Sequence, residues 1–295
     1  MIPSPYLKKG DKIAITCPAK ALKTPLTDAI NLLESWGLEV VLGKTIAAEY
    51  YQFAGTDALR TQDFQQFIDD ESIKAIIAAR GGYGCIRIVD EINWQPLLKN
   101  PKWIIGFSDI TIFHLQLQSL GLQSIHGQMP STIPDSTSAG LISLKNALFG
   151  EKITYQVPIH PLNKIGKGKG ILIGGNLSLI AACINSKSDF DFKNHILFME
   201  DVGEYPYIID RMIRTLDRAG KLKNLAGLIV GGFTNMKVSD IPFGSSAQEF
   251  IAQVTMKYDF PICYDFPAGH LPNNLSLVFG SEVTFEVTET EVNLG

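Results

Sequence analysis

Over residues 1–150 the chain alternates short apolar runs with amphipathic helical stretches, and no other feature restricts its fold as tightly. The runs are Lys12–Cys17, Glu39–Leu42, Ala75–Ala79, Trp103–Gly106 and the weaker Gln123–His126. Between the first two, Leu26, Ala29, Ile30, Leu33 and Trp36 recur at helical spacing before Gly37, which predicts a helix stopped by that glycine. A second helix is expected after Thr56, carrying Leu59, Phe64, Phe67 and Ile68. A short one follows through Ile86, Val89 and Ile92, and Ser138–Phe149 gives another, ended by Gly150. Ala75–Ala79 is wholly apolar, the pattern of a strand covered on both faces. Strands and helices alternating in this way imply a parallel, doubly wound α/β sheet. Strand order is not readable from the pattern.

The rhythm breaks at Glu151–Gly170, where Pro158, Pro161, Gly166 and Gly168 mix with Lys164, Lys167 and Lys169. This predicts an exposed linker over 151–169 between a domain at 1–150 and another at 170–295, with the lysines solvated. In the second half, strands are expected at Gly170–Gly175, Ile196–Met199 and Gly227–Gly231, and helices at 177–184, 207–219 and 245–258. The tail, Leu277–Phe279, Val283–Val287 and Glu291–Leu294, alternates as antiparallel strands do. A mixed, more β-rich domain follows from that order.

The 295 residues suit two domains, and 45% hydrophobic against 19% charged residues describe a globular chain with ample core. A net charge of -4 gives no electrostatic reason to expect nucleic acid or an anionic membrane as partner. Cys17, Cys85, Cys183 and Cys263 are scattered, which suits buried thiols in a reducing compartment. Met1–Gly10 lacks the apolar core of a signal peptide, and no stretch approaches the roughly 20 apolar residues of a membrane span. A soluble cytoplasmic protein is the expectation.

The chemistry centres on Gly106-Phe107-Ser108-Asp109. A strand ends at a glycine, and a serine then sits at the apex of a turn into a helix, where the first N–H groups lack internal partners and can face an oxyanion. The ordinary alternative is a helix cap. A serine nucleophile needs a base, and the base needs an orienting acid. Of five histidines, His114 falls inside a helix, His126 ends a strand, His160 lies in the linker and His195 precedes a strand. His270 stands in the Pro/Gly-framed loop Phe266–Asn274, where a side chain can be held rigidly. Glu200 closes an apolar strand, a usual place for site residues in α/β proteins, and Asp201 competes with it from the opposite face. Arg80-Gly81-Gly82-Tyr83-Gly84 lacks the spacing of a nucleotide-binding loop. Its paired glycines can instead bring a second backbone N–H to a reacting centre.

Taken together and in order, Arg80–Gly84, Gly106–Asp109, Gly174-Gly-Asn-Leu-Ser178, Leu197–Glu204 and Gly269-His-Leu-Pro272 resemble the LD-carboxypeptidase family of serine peptidases over essentially the whole chain. The resemblance implies a flavodoxin-like N-terminal domain and a C-terminal domain with a small barrel-like sheet. It implies Ser108 as nucleophile, His270 as general base, Glu200 as the orienting acid, and an oxyanion hole from the backbone N–H groups of Gly82 and Asp109. The implied reaction releases the terminal D-alanine from cytoplasmic murein tetrapeptides, without metal or organic cofactor, in a protein that is often a homodimer. Arg80 and Arg87 are the candidates to meet the substrate's free carboxylate. Two alternatives remain. Members of the microcin-immunity type cleave peptidyl-nucleotide toxins and carry a tryptophan after the Gly-Gly-Asn motif, where this chain has Ala181–Ile184 and keeps Trp36, Trp94 and Trp103 in its first half. A non-catalytic protein binding a small anion at the Gly-rich loop is the other.

Overall fold

A computed structural model describes residues 1–238 and 241–295. The first part runs β1 (Lys12–Thr16), α1 (Thr27–Ser35), β2 (Glu39–Leu42), α2 (Asp57–Asp69), β3 (Ile73–Ala78), α3 (Pro96–Lys99), β4 (Trp103–Gly106), α4 (Thr111–Ser119), β5 (Ser124–His126) and α5 (Ser138–Phe149). The second runs β6 (Tyr155–Pro158), β7 (Gly166–Asn176), α6 (Leu177–Ala182), β8 (His195–Val202), α7 (Pro206–Arg218), β9 (Gly227–Thr234), α8 (Ala247–Thr255), β10 (Ile262–Cys263), β11 (Leu277–Phe279), β12 (Glu282–Val287) and β13 (Glu291–Leu294). No helix among the described residues is long and apolar enough to cross a membrane.

The first sheet has the order β11-β5-β4-β3-β1-β2, in which β2-β1-β3-β4-β5 is the parallel, doubly wound arrangement of flavodoxin-like domains. Its central strands β1, β3 and β4 are largely apolar and buried because both faces are covered, whereas the edge strand β2 is exposed at Glu39 and Leu42. Ile13, Ile15, Ile77, Trp103 and Ile105 face one side with Leu33 and Leu144. Ala14, Ile76 and Ile104 face the other with Phe64 and Phe113. Side chains of this size contribute about 1.5–3 kcal/mol each when fully buried. Helix boundaries follow the expected chemistry: Thr56 caps α2 by accepting from the Leu59 N–H at 3.2 Å, and Gly150 ends α5 in the left-handed region at φ 79°.

The second sheet is mixed, β10-β9-β8-β7-β12-β13-β6. Its β10 edge meets the chain again at Lys164, just ahead of β7, through a reciprocal pair of backbone bonds of 2.9 and 3.1 Å, so the sheet curls back on itself at that corner. The apolar cluster on one face of the first sheet continues through Ile173, Leu197, Met199, Val230 and Ile213, joining the two parts in one core.

Three expectations change. The short helix expected through Ile86, Val89 and Ile92 is a single 3-10 turn at Cys85–Arg87 followed by turns, and α3 begins only at Pro96. Residues 151–169 are not simply an exposed linker, because they hold β6 and the start of β7. Gly166-Lys167-Gly168-Lys169-Gly170 is a period-2 strand whose bare face admits other backbone: a methyl on Gly168 would stand 1.9 Å from the Ala226 carbonyl oxygen, and one on Gly170 2.4 Å from that of Asn194. The lysines point outward, where Lys167 and Lys169 pair with Glu286 and Glu282 of β12. The tail also divides. Strands β12 and β13 join the second sheet, whereas β11 crosses to pair antiparallel with β5 of the first.

Candidate active site

In the first sheet the chain leaves β1 toward β2 on one side and β3 toward β4 on the other, so the loops at their carboxyl ends part and leave a crevice. The loops after β3 and β4 meet beside it. At the end of β4, Gly106 takes φ 155° and Ser108 takes φ 63°, the left-handed region that an L-residue other than glycine enters at a cost of about 1–3 kcal/mol. Ser108–Ile110 then form a single tight turn into α4. The strained residue is thus the one at the apex, held half-exposed.

Gly81 lies directly against it. A methyl at Gly81 would come within 2.9 Å of Ser108 Cβ, 3.1 Å of its Oγ and 3.4 Å of the Asp109 nitrogen. Gly82 follows, exposed and at φ 116°. The Asp109 side chain is buried and serves the scaffold, its Oδ2 accepting from the Cys85 N–H at 2.7 Å. Burial pushes its carboxyl above the usual range against the opposing bonds from Cys85. Arg60, fully buried, donates to the Pro18 and Gly84 carbonyls at 2.5 and 3.0 Å and ties the loops after β1 and β3 together.

The other half comes from the second sheet. Glu200 ends the apolar part of β8, where a register shift in its pairing with β9 lies between Met199 and Asp201. The extra residue belongs to β9, where Gly231 and Gly232 span the interval that Glu200 alone spans on β8. Glu200 is fully buried, and its Oε2 accepts from His270 Nδ1 at 2.6 Å and from the His270 backbone N–H at 3.3 Å. Gly269, at φ 112°, makes this approach possible, since a methyl there would be 2.8 Å from Glu200 Cβ. Burial opposes a charge on His270, but the hydrogen bond it donates to Glu200, the Glu200 charge and that of Asp201 outweigh it, so the imidazole pKa is raised above 6.5. Asp201 itself has another task. It accepts from Asn176 Nδ2 at 3.1 Å and from the N–H and hydroxyl of Ser178 at 2.9 and 2.8 Å, fastening the start of α6. Burial first, and then the neighbouring Glu200 charge, raise its pKa to about 6. The choice between the two acids is therefore decided by geometry.

The two halves touch through Phe107, whose ring meets the His270 imidazole edge-on with centroids 5.0 Å apart. Glu200 and His270 are bonded; among the described residues the Ser108 hydroxyl has no hydrogen-bond partner, and its Oγ lies over Gly81.

The remaining candidates are committed elsewhere. His114 is fully buried between Ser124 Oγ at 2.8 Å and the Gly106 carbonyl at 2.9 Å, and burial lowers its pKa to about 4. His126 is buried against Asn274 Oδ1 at 3.2 Å, and His160 and His195 lie away from the crevice. Arg87 is gripped by Asp57 through Nε at 3.0 Å and Nη2 at 2.6 Å, so its fork is not open to a substrate carboxylate. Arg80 donates to the Ala21 carbonyl at 3.0 Å. Unforeseen in the sequence were the roles of Gly81, Arg60 and Asn274. Only the Asn in the loop after His270 offered a signal, as an amide that can bond its own turn.

The sequence matches the LD-carboxypeptidase N-terminal domain over residues 13–127 and the LD-carboxypeptidase C-terminal domain over 169–285. It is 32% identical over 290 residues to a probable murein peptide carboxypeptidase of Bacillus subtilis (strain 168), covering 96% of this chain and 91% of that one. The crystal structure of muramoyltetrapeptide carboxypeptidase from Oxalobacter formigenes superposes with a TM-score of 0.86 at 27% identity, over 96% of this chain and 97% of the other. The microcin C7 self immunity protein MccF shares the fold, with a TM-score of 0.87 at 18% identity over 99% and 97% of the two chains. With both domains matched in order and a relative of this identity spanning nearly its whole length, the chain belongs to the LD-carboxypeptidase family of serine-type carboxypeptidases.

Proposed function

We propose that this carboxypeptidase releases the terminal D-alanine from murein tetrapeptides in the cytoplasm, during recycling of the cell wall. The observation that carries the reading is the 2.6 Å bond between Glu200 Oε2 and His270 Nδ1. A buried carboxylate accepts there, so the proton sits on Nδ1, and the Nε2 lone pair is left to act as base. Ser108 is the nucleophile, His270 the general base and Glu200 the acid that orients it.

In the reaction His270 Nε2 takes the Ser108 proton as Oγ bonds to the carbonyl carbon of the scissile amide. The carbonyl oxygen gains the charge, and the backbone N–H groups of Gly82 and Asp109 receive it. Collapse of this intermediate breaks the C–N bond, and the imidazolium gives its proton to the departing amine of D-alanine. Water, deprotonated by the same imidazole, then hydrolyses the acyl-enzyme and restores Ser108. The strained φ of Ser108 supports this assignment, because such backbone persists where the surroundings over-determine it.

Names borne by relatives support the murein substrate: the similar proteins are a probable murein peptide carboxypeptidase and a muramoyltetrapeptide carboxypeptidase. Four cysteines, all buried and free, support a reducing compartment. A homodimer belongs to the same proposal, on the family resemblance. Mass spectrometry of a murein tetrapeptide incubated with the protein tests the reading. Loss of one alanine, absent with Ser108→Ala, is expected; an unchanged tetrapeptide alongside cleavage of an aminoacyl-sulfamoyl nucleoside would favour the microcin-immunity type instead.

A further inference from the structure

The cations around the crevice are nearly all committed. Arg87 is held by Asp57, Arg60 by the Pro18 and Gly84 carbonyls, Arg80 by the Ala21 carbonyl, and Lys23 by Glu49 at 2.6 Å. Lys20 is different. It follows β1 at the carboxyl edge of the first sheet, half-buried, with its backbone bridged to Phe53. Among the described residues its ammonium makes no hydrogen bond and no ion pair. Its stem lies on Gly82: a methyl on that glycine would stand 2.5 Å from Lys20 Cδ and 2.7 Å from Cγ. Since Gly81 stands against Ser108 in the same way, the nucleophile, the two glycines and Lys20 form one continuous layer.

We infer that Lys20 binds the α-carboxylate of the substrate's terminal residue, and that this contact restricts the enzyme to the last peptide bond. The inference rests on the carboxypeptidase reading above and names the residue that reads the chain end. A carbonyl whose oxygen points at the Gly82 N–H has the terminal carboxylate three bonds further along the leaving group. Lys20 lies over Gly82, one residue beyond the glycine that meets the nucleophile, and a backbone step of about 3.8 Å is of the order of the span from that carbonyl to the carboxylate. An ammonium on a flexible stem meets it as a point charge from any direction, and in a half-buried site that attraction is screened less than at an open surface. Arg80 contributes by holding the loop: its donation to Ala21 fixes the segment on which Lys20 stands.

The test compares two peptides differing only at the C-terminus, one ending in D-alanine and one in D-alaninamide, with wild type, Lys20→Met and Lys20→Arg. Methionine keeps the stem over Gly82 and removes the charge. Wild type is expected to prefer the free acid. Lys20→Met should lose about 10- to 100-fold in kcat/KM on the acid, mainly through KM, and change little on the amide; Lys20→Arg should recover most of the loss. A Lys20→Met protein that keeps the wild-type preference for the acid overturns the inference. So does an equal loss on both peptides, which would mean that Lys20 only shapes the Gly82 loop. Failure of wild type to release D-alanine at all would strike the murein reading itself, and is told apart because it appears before any substitution.

Discussion

The two walls of the crevice are built by different means. On the side of the second sheet, His270 is fixed by side-chain bonds: a buried carboxylate holds its Nδ1 and backbone N–H, and Asn274 Oδ1 accepts from Gly269 at 2.8 Å. On the side of the first sheet, Ser108 has no such partner and is placed by backbone alone, through a positive φ, Gly106 before it and Gly81 beneath it. A base must present one tautomer in one orientation, which hydrogen bonds secure. A nucleophile must change bonds during the reaction, so a partner-free hydroxyl on rigid backbone suits it better.

The sharpest way to break this comparison is to remove the atoms proposed to react. Ser108→Ala and His270→Ala should each lower kcat by about 10^6-fold, and the double variant should lose little more, because the two act as one unit. Single-turnover measurements with the tetrapeptide decide the matter. Activity surviving in the His270 variant would leave the base unassigned, since His114 and His126 are both buried and held below their usual pKa.

Glu200→Gln comes next, at about 10^4-fold in kcat. It also carries a pH signature. In the wild type the His270 pKa is raised above 6.5, so kcat/KM should climb with pH through a limb above 6.5 as the imidazole loses its proton. Removing the Glu200 charge takes away the main support of the imidazolium, and the limb should move to lower pH. Stability runs the other way in the wild type. A raised folded-state pKa contributes fully below 6.5 and is lost as pH rises through the folded value, so the protein gives up this increment of stability over the range in which it gains activity. A limb that stays in place in Glu200→Gln would mean that His270 does not control it.

Gly81→Ala tests the other wall. Its backbone is not in the left-handed region, so alanine meets no conformational penalty there, but the new methyl would press on Ser108 Cβ at 2.9 Å. Turnover should fall by about 10^2- to 10^3-fold, the scale of losing one oxyanion donor, while thermal unfolding stays close to wild type. Unimpaired turnover would show that Ser108 is not confined by this glycine.

The contrast between the walls also explains what could be read in advance. The first sheet was legible because both its faces are buried, and Ala75–Ala79 and Trp103–Gly106 announce that in their composition. Ser108 was legible as an apex residue between a glycine and a helix start. Its positive φ was not, because serine has no preference for that region and only the surrounding fold can impose one. Glu200 and Asp201 stood as rivals since a regular strand sends neighbours to opposite faces; the His270 donors around Glu200 and the Asn176 and Ser178 donors around Asp201 separate them. The stretch 151–169 read as a linker because, where it enters β7, glycine on one face of the strand erases the apolar alternation by which strands are recognised. The crossing of β11 to the first sheet depends on pairing with residues some 150 positions away, which no local pattern encodes.

The mildest effect expected comes from the joint between the walls. Asn274 is fully buried, and its Oδ1 accepts both from Gly269, next to the proposed base, and from His126 Nε2 at the end of β5, beside β4, which Ser108 follows. The Nε2 contact is a donation from histidine, because the only acceptor on that side is the amide oxygen and burial holds His126 neutral. Asn274→Ala would leave two buried donors without an acceptor, at a cost of about 1–3 kcal/mol each before relaxation, visible as a lower melting temperature. The loop from Ala268 to Ser276 keeps its other ties to the first domain, including Pro272 to Thr137 and Ser276 to Ser143, so the fold should survive. What loosens is the position of His270 relative to Ser108. The expected result is a fall of about 10- to 100-fold in kcat with KM nearly unchanged and the pH limb in place, since Glu200 still holds the ring. Asn274→Asp is the refinement: it keeps an acceptor in the same position, and should restore kcat if alignment is what the amide oxygen provides. A variant that loses stability and KM together while kcat holds would reduce Asn274 to a structural bond with no part in aligning the two walls.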